Sequence, residues 1–105
     1  MSTREIAGKS VEFDPEGFMV NPEDWTQEIA ETLAREEGLD QLNVSHWRVI
    51  EFCRSDFQTQ GEAPTLRRIT KVGGVPTKEL YQLFPKGPAK KVARIAGLGK
   101  PTGCI

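Results

Sequence analysis

Two thiols and one imidazole are the side chains of this sequence best suited to covalent or acid–base chemistry. Cys104 is the penultimate residue and follows a glycine-rich segment. Cys53 falls on the apolar stripe of a predicted helix, where a free cysteine behaves as a small buried hydrophobe. Because an exposed free thiol is vulnerable to oxidation, its presence near the C-terminus favours a use for it. We therefore expect Cys104 to be the functional thiol and Cys53 to be a core residue.

The charges near Cys104 oppose one another. Basic side chains favour the thiolate, whereas the C-terminal carboxylate of Ile105 disfavours it. We expect the free thiol to behave almost ordinarily, so its activation must come from a partner's pocket. Such a thiol suits a carrier of a covalent group better than a self-sufficient catalyst. The predicted basic surface near this thiol consists of Lys90, Lys91, Arg94 and Lys100.

The sequence has too few suitable residues for other common kinds of functional site. The single histidine, His46, begins a predicted helix with no carboxylate placed to orient it, so we predict a core or capping role. One histidine and two distant cysteines cannot build a tetrahedral zinc site without carboxylates, and no Cys-x-x-Cys pair occurs. Neither Gly73-Gly74 nor Lys86-Gly87-Pro88 matches a nucleotide-binding spacing. The sequence therefore predicts no metal and no cofactor.

The composition is that of an ordinary globular protein. The chain has 105 residues, of which 37% are hydrophobic and 28% are charged, enough for one compact domain. No apolar run approaches the roughly 20 residues that span a bilayer, and the N-terminus lacks the apolar region of a secretory signal. We therefore expect a cytoplasmic protein with no membrane contact, whose two cysteines remain thiols.

The net charge of −1 conceals a division along the chain. Residues 1–66 contain 14 acidic and 5 basic side chains, whereas residues 67–105 contain one acidic and nine basic ones. One interpretation is that the oppositely charged parts fold against each other. The other is a positive face for an acidic protein, a nucleic acid or an anionic sulfur or phosphate species.

The pattern of apolar residues and breakers predicts a mainly α fold of the α+β class, with an N-terminal β-hairpin packed on about five helices. The hairpin is expected around Ala7-Gly8. The first predicted helix covers residues 22–37, capped by Asn21, with Trp25 on its apolar stripe and Gly38 as its stop. The others cover 45–59, a third helix from Thr65 that carries Val72, a fourth capped by Thr77, and a fifth from Pro88 that stops at Gly97. We predict a domain at residues 1–96 and a flexible C-terminal arm at 97–105 that carries Cys104.

Residues 65–84 have the outline of a helix-turn-helix element. Basic side chains on both of its predicted helices would permit a weak contact with a nucleic acid. The same outline describes an αα-corner inside a helical domain, which is a common arrangement. A DNA-binding regulator is therefore one of the functions left open.

The C-terminal sequence resembles the DsrC/TusE family of sulfur-carrier proteins. The resemblance is carried by three stretches, and it extends more loosely through Asp14, Gly17-Phe18, Trp25 and His46-Trp47. The stretches are Leu83-Phe84-Pro85-Lys86-Gly87-Pro88-Ala89-Lys90, Ile95-Ala96-Gly97-Leu98 and Lys100-Pro101-Thr102-Gly103-Cys104-Ile105. The resemblance implies a small helical fold with an N-terminal hairpin, and an arm that inserts into partner proteins. It also implies that Cys104 accepts a persulfide sulfur and passes it on.

The resemblance covers two branches that differ in the number of thiols on the arm. In the dissimilatory branch, the gamma subunit of sulfite reductase, a second cysteine lies eleven positions before the penultimate one. In the TusE branch the penultimate cysteine is alone and serves a relay that thiolates the tRNA wobble uridine. Here the decisive position is Ala93, which favours a single-thiol carrier. The implied partners are sulfur donors and acceptors: a TusBCD-like complex, a thiouridylase or, as the alternative, sulfite reductase.

Overall fold

A computed structural model describes residues 2–101 of the chain. Strands β1, Ser2–Ile6, and β2, Lys9–Phe13, form the predicted antiparallel hairpin, in which Ser2 pairs with Phe13 and Ile6 pairs with Lys9. The two turn residues, Ala7 and Gly8, both have positive φ, at 53° and 77°. That geometry matches the right-handed twist of the strands that the turn joins.

Five α-helices follow the hairpin in the described part of the chain. They are α1, Gln27–Glu36, α2, Val44–Gln60, α3, Leu66–Lys71, α4, Thr77–Leu83, and α5, Pro88–Ile95, and a 3₁₀ turn at Pro22–Asp24 precedes α1. The predicted fold class is therefore confirmed. None of these helices is both long enough and apolar enough to cross a lipid bilayer.

The core lies around α5, which packs against α1, α2 and α4. The stripe expected on α2 is buried, with Val49, Ile50 and Cys53 each at most 1% exposed. The hairpin contributes Ile6, Val11 and Phe13 to the same core. A two-stranded hairpin is marginal by itself, and this packing supplies the surface that it needs.

The predicted helix 22–37 is wrong in its first turn. The chain makes a 3₁₀ turn and then extends at Trp25, where ψ is 142°, before α1 begins. Thr26 caps α1 by accepting a hydrogen bond from the Ile29 N–H at 3.2 Å, whereas Asn21 makes no side-chain cap. The break frees the Trp25 side chain to contact residues far along the sequence.

Two further details of the prediction need correction. Val72, expected on the third helix, lies one residue beyond the end of α3 and is 58% exposed. The chain turns there at Gly73, where an added Cβ would lie 2.6 Å from the Ile69 carbonyl oxygen. Thr77 is the first residue of α4 and not its cap, because Pro76 occupies the cap position. The Thr77 hydroxyl instead lies 3.1 Å from that of Thr70.

Candidate functional site

Cys104 lies outside the described residues. The described residues that lead to it follow the end of α5, where the predicted arm begins. Cys53 is fully buried. Desolvation, followed by the nearby negative charge of Asp56, raises the pKa of the Cys53 thiol well above its ordinary value. A buried neutral thiol is a poor nucleophile, so the predicted core role of Cys53 is confirmed.

The last turn of α5 closes with a pattern of hydrogen bonds that requires glycine. Gly97 has a φ of +75° and donates its N–H to the Arg94 carbonyl at 3.2 Å. Leu98 donates its N–H to the Ala93 carbonyl at 2.9 Å. These two bonds form a Schellman motif, which confirms the predicted stop at Gly97. Two more carbonyls, those of Ile95 and Ala96, remain to be satisfied at this end.

Two side chains from other elements satisfy those carbonyls, and we call this pair the clamp: Trp25 and Arg54. The Trp25 indole N–H donates to the Ile95 carbonyl at 2.8 Å, and an Arg54 guanidinium N–H donates to the Ala96 carbonyl at 2.7 Å. The Arg54 guanidinium also lies 4.2 Å from the centre of the Trp25 ring. Burial lowers the pKa of Arg54, yet arginine stays charged at neutral pH. Its positive charge faces the negative end of the α5 dipole.

The clamp joins residues that no local sequence pattern connects. Trp25 was predicted to lie on the buried stripe of a continuous helix, whereas its partner Ile95 lies 70 residues away in sequence. The contact between Arg54 and Ala96 spans 42 residues. The one local signal is that Arg54 directly follows the buried Cys53, which places a charged group at the edge of the core.

The described part of the predicted arm packs on the body. Leu98 is 1% exposed, and Pro101 is also buried. Between them, the Lys100 ammonium forms an ion pair with Glu16 at 3.0 Å. Contact with the body therefore continues beyond the predicted boundary at residue 97. That residues beyond this packed stretch act as an arm stays a prediction.

The predicted basic residues divide into two groups. Arg94 points toward the acidic part of the chain and donates to Glu36, Glu37 and the Gly17 carbonyl at 2.8–2.9 Å. Its side chain is only 15% exposed. With Lys100 paired to Glu16, these contacts confirm that oppositely charged parts of the chain fold against each other. Arg94 and Lys100 are therefore not free positive charges.

The other lysines line an open groove at the start of α5. Lys86, Lys90 and Lys91 line it, together with Glu16 and Glu37. The groove has a volume of about 330 Å³. Lys86 and Lys90 are exposed, whereas Lys91 is half-buried and reaches the Glu37 carbonyl at 3.4 Å. Of the basic surface predicted near Cys104, Lys90 and Lys91 therefore remain at the groove, with Lys86 beside them.

His46 caps a helix, as the sequence predicts. Its Nδ1 accepts from the Asn43 N–H at 3.1 Å, and the Asn43 side chain accepts from the His46 N–H at 3.0 Å, which together form a capping box. Its Nε2 donates to the Leu83 carbonyl at 3.0 Å. The ring also packs edge-on against Phe84 at 5.2 Å. With both nitrogens engaged, the ring ties α2 to the end of α4.

The α3–α4 pair forms a compact corner. Arg68, a basic side chain of the predicted helix-turn-helix element, donates two hydrogen bonds to the buried Asp56 at 2.7 and 2.8 Å. Those bonds raise the pKa of Arg68 and occupy its guanidinium.

Within residues 2–101 there is no cluster of three or more metal-ligating His, Cys, Asp or Glu side chains.

Comparison with known proteins gives the family. The family model described as "DsrC like protein" matches residues 5–105. The chain belongs to the DsrC family. It is 40% identical over 98 residues to "Sulfite reductase, dissimilatory-type subunit gamma" of Nitratidesulfovibrio vulgaris, covering 93% of each chain. It is 38% identical over 108 residues to "Sulfurtransferase TusE" of Yersinia pseudotuberculosis, covering 96% of this chain and 99% of the relative.

The fold of this chain also matches solved structures of known proteins. A crystal structure titled dissimilatory sulfite reductase I (DsrI) superposes with a TM-score of 0.87 at 36% identity. The match covers 99% of this chain and 100% of that one. Both the recognised family and the predicted architecture are thus confirmed.

Proposed function

We propose that this DsrC-family protein is a single-thiol sulfur carrier that accepts and delivers a sulfane sulfur at Cys104. The observation that carries the proposal is the family match, which extends to residue 105 and so includes the penultimate cysteine. The similarity to a relative named sulfurtransferase supports the same chemistry. The sulfur chemistry needs Cys104 reduced, which fits the cytoplasm, where thiols are kept reduced.

The transfer consists of two thiol exchange steps without net oxidation. The Cys104 thiolate attacks the terminal sulfur of a donor persulfide, so that a new S–S bond forms and the donor's own thiolate leaves. An acceptor thiolate then attacks the terminal sulfur on Cys104 and releases the Cys104 thiolate. Each step forms one S–S bond and breaks one, and therefore needs no external oxidant or cofactor.

The surroundings of position 93 favour a carrier that uses one thiol. Ala93 is 1% exposed, lies within α5 and accepts the Leu98 N–H. Cys53 is fully buried in the core, too enclosed to meet another thiol without local unfolding. An internal disulfide has no accessible partner among the described residues. The protein would therefore hand its sulfur to another molecule rather than release it by forming a disulfide.

The proposed partners are a donor and an acceptor protein with anionic surfaces. Lys90 and Lys91, with Lys86 beside them, present positive charge at the open groove, which would attract such surfaces and favour an anionic persulfide. A TusBCD-like donor complex and a thiouridylase acceptor are the partners that we propose, and the similarity to a relative named sulfurtransferase TusE supports partners in a sulfur relay. The arm delivers the sulfur, and the partner's pocket activates the thiol.

The test is to incubate the protein with glutathione persulfide and to record its intact mass. We expect a gain of about 32 Da, the mass of one sulfur atom, that dithiothreitol removes. Cys104→Ser should abolish the gain, and Cys53→Ala, the matched loss of the other thiol, should leave it unchanged. No gain on the wild-type protein, or an equal gain on Cys104→Ser, would contradict the proposal.

A role as an accessory subunit of dissimilatory sulfite reductase is the second candidate, favoured by the 40% identity to a gamma subunit. It predicts stable co-elution with the catalytic subunits of that enzyme in gel filtration. Co-elution that survives Cys104→Ser, combined with no sulfur loading of the wild type, would favour this role over the carrier.

A further inference from the structure

The clamp holds the point from which the C-terminal segment leaves the helical body. Within the last turn of α5, the Ala93 and Arg94 carbonyls are bonded by the turn itself. The carbonyls of Ile95 and Ala96 are bonded only by Trp25 and Arg54 among the described residues. Fixing two successive carbonyls fixes the two peptide planes that follow them, because each peptide unit is rigid.

The Trp25 ring also touches the chain immediately beyond these planes. A Cβ built at Gly97 would lie 2.5 Å from Cδ1 of that ring and 2.8 Å from its Cγ. Gly97 is therefore pressed against the indole, with no room for a side chain. The clamp thus restricts the chain both through hydrogen bonds and through close contact.

The position of this segment limits what Cys104 can reach. Pro101 is buried, and three residues of chain span at most about 11 Å. Because the covalent chain is this short, holding Pro101 in place limits the volume that the Cys104 thiol can sample. Transfer requires the two sulfur atoms to approach within about 3.5 Å in good alignment, so a displaced starting point would be costly.

We propose that Trp25 and Arg54 are positioning residues for sulfur transfer: they fix residues 97–101 on the body and thereby set the reach of Cys104. The inference rests on the proposed function at one point only, namely that Cys104 carries the sulfur. Arg54 suits the task because it joins α2, the 3₁₀ turn and the end of α5: besides Ala96, it donates to the Pro22 carbonyl at 3.4 Å.

The test measures the position of the segment directly by electron–electron distance spectroscopy. Nitroxide labels are attached at Gly99→Cys, where an added Cβ meets no atom within 4 Å, and at Val44→Cys, which is 76% exposed. Cys104→Ser removes the competing thiol, and the buried Cys53 does not react. We expect one narrow distance distribution in this parent protein.

Clamp variants should broaden that distribution. Arg54→Met keeps the aliphatic stem and removes the donors, and we expect at least a twofold increase in width. Trp25→Phe removes the indole donor but keeps a smaller aromatic ring, and should broaden the distribution less. Arg54→Lys, which keeps a charged donor, should restore part of the narrow component. The matched control is Arg48→Met, the same change at an exposed position of the same helix, which should have no effect.

The outcomes separate this inference from the proposed function. Helical circular dichroism must be retained in every variant, and glutathione persulfide should load Cys104 in Arg54→Met as in the wild type, because a small donor needs no positioning. An unchanged distance distribution in folded Arg54→Met would overturn the inference while leaving the carrier intact. Failure of the wild type to load sulfur would overturn the carrier, and the distances would still decide whether the clamp fixes the segment.

Discussion

The two ends of α5 have opposite surroundings. At the C-terminal end the helix carbonyls are bonded within the turn or by the clamp, and Gly97 is buried against Trp25. At the N-terminal end Gly87 occupies the cap position with a φ of +82° and offers no side-chain cap. Lys86 before it and Lys90 after it are exposed at an open groove.

The two ends of α5 therefore have different roles: the C-terminal end positions a segment of the chain, and the N-terminal end can attract a partner. Partly buried hydrogen bonds with defined geometry hold the C-terminal end, and their loss leaves unsatisfied polar groups. Exposed lysines at the other end contribute little to stability but act over about 8–10 Å at physiological salt. One short helix therefore anchors the segment that leads to Cys104 at its C-terminal end and presents exposed positive charge at its N-terminal end.

The largest expected effect comes from adding one methyl group at each end. Ala in place of either glycine must adopt a left-handed backbone, which costs about 1–2 kcal/mol. Gly97→Ala must also displace the Trp25 ring, whereas the Cβ of Gly87→Ala meets nothing within 4 Å. Overpacking of this kind costs about 1–3 kcal/mol more, so we expect a total of about 3 kcal/mol for Gly97→Ala.

Urea unfolding of the two variants beside the wild type measures this difference. Gly99→Ala is the control for a change in the same segment, because its backbone φ is not positive and its Cβ has open space. It should lie within about 0.5 kcal/mol of the wild type. Equal losses for Gly97→Ala and Gly87→Ala would show that the contact with Trp25 does not constrain the chain.

The elements of this fold that depend on local sequence could be predicted. Gly97 was expected to end α5, and Gly38 to end α1, because each supplies the left-handed residue that a helix end uses. The break at Trp25 could not, since the apolar spacing of residues 25–33 fits a continuous helix. What overrides that spacing is a tertiary contact with the end of α5.

The second prediction compares two basic residues of α5 that face different surroundings. Arg94→Met removes bonds to Glu36, Glu37 and the Gly17 carbonyl, leaving partly buried acceptors with fewer partners. We expect a loss of about 2 kcal/mol, below the range for fully buried pairs because the carboxylates remain partly hydrated. Lys90→Met, in contrast, should change stability by at most about 0.5 kcal/mol in either direction.

Thermal and urea unfolding at low and high salt check this second difference. A similar small change for both variants would mean that Arg94 belongs with the exposed lysines, as the sequence first indicated. The sequence placed both on one basic surface, because their charges and spacing along α5 are alike. Their roles differ only through Glu36 and Glu37, more than 50 residues earlier in the chain, which local patterns do not connect to α5.

The smallest expected effect concerns Glu36, which joins Arg94 to the hairpin. A hydrogen bond from Arg4, with a further one from Arg94, lowers the pKa of Glu36 to about 2. A carboxyl with a lowered folded-state pKa stabilises the fold above its unfolded pKa, and this contribution is lost as the pH falls through the folded pKa. The side chain is 34% exposed, so screening by solvent leaves about 1 kcal/mol of the contribution.

Urea unfolding of the wild type and Glu36→Gln between pH 7 and pH 2 tests this last prediction. The wild type should be more stable by about 1 kcal/mol near pH 6, and the difference should diminish below about pH 4.5. Taking the difference between the two proteins cancels the titration of the other carboxylates. A difference independent of pH would mean that Glu36 acts through packing alone. The ion pairs of Glu36 with Arg4 and Arg94 would then stabilise the fold no more than the exposed lysines of α5 do.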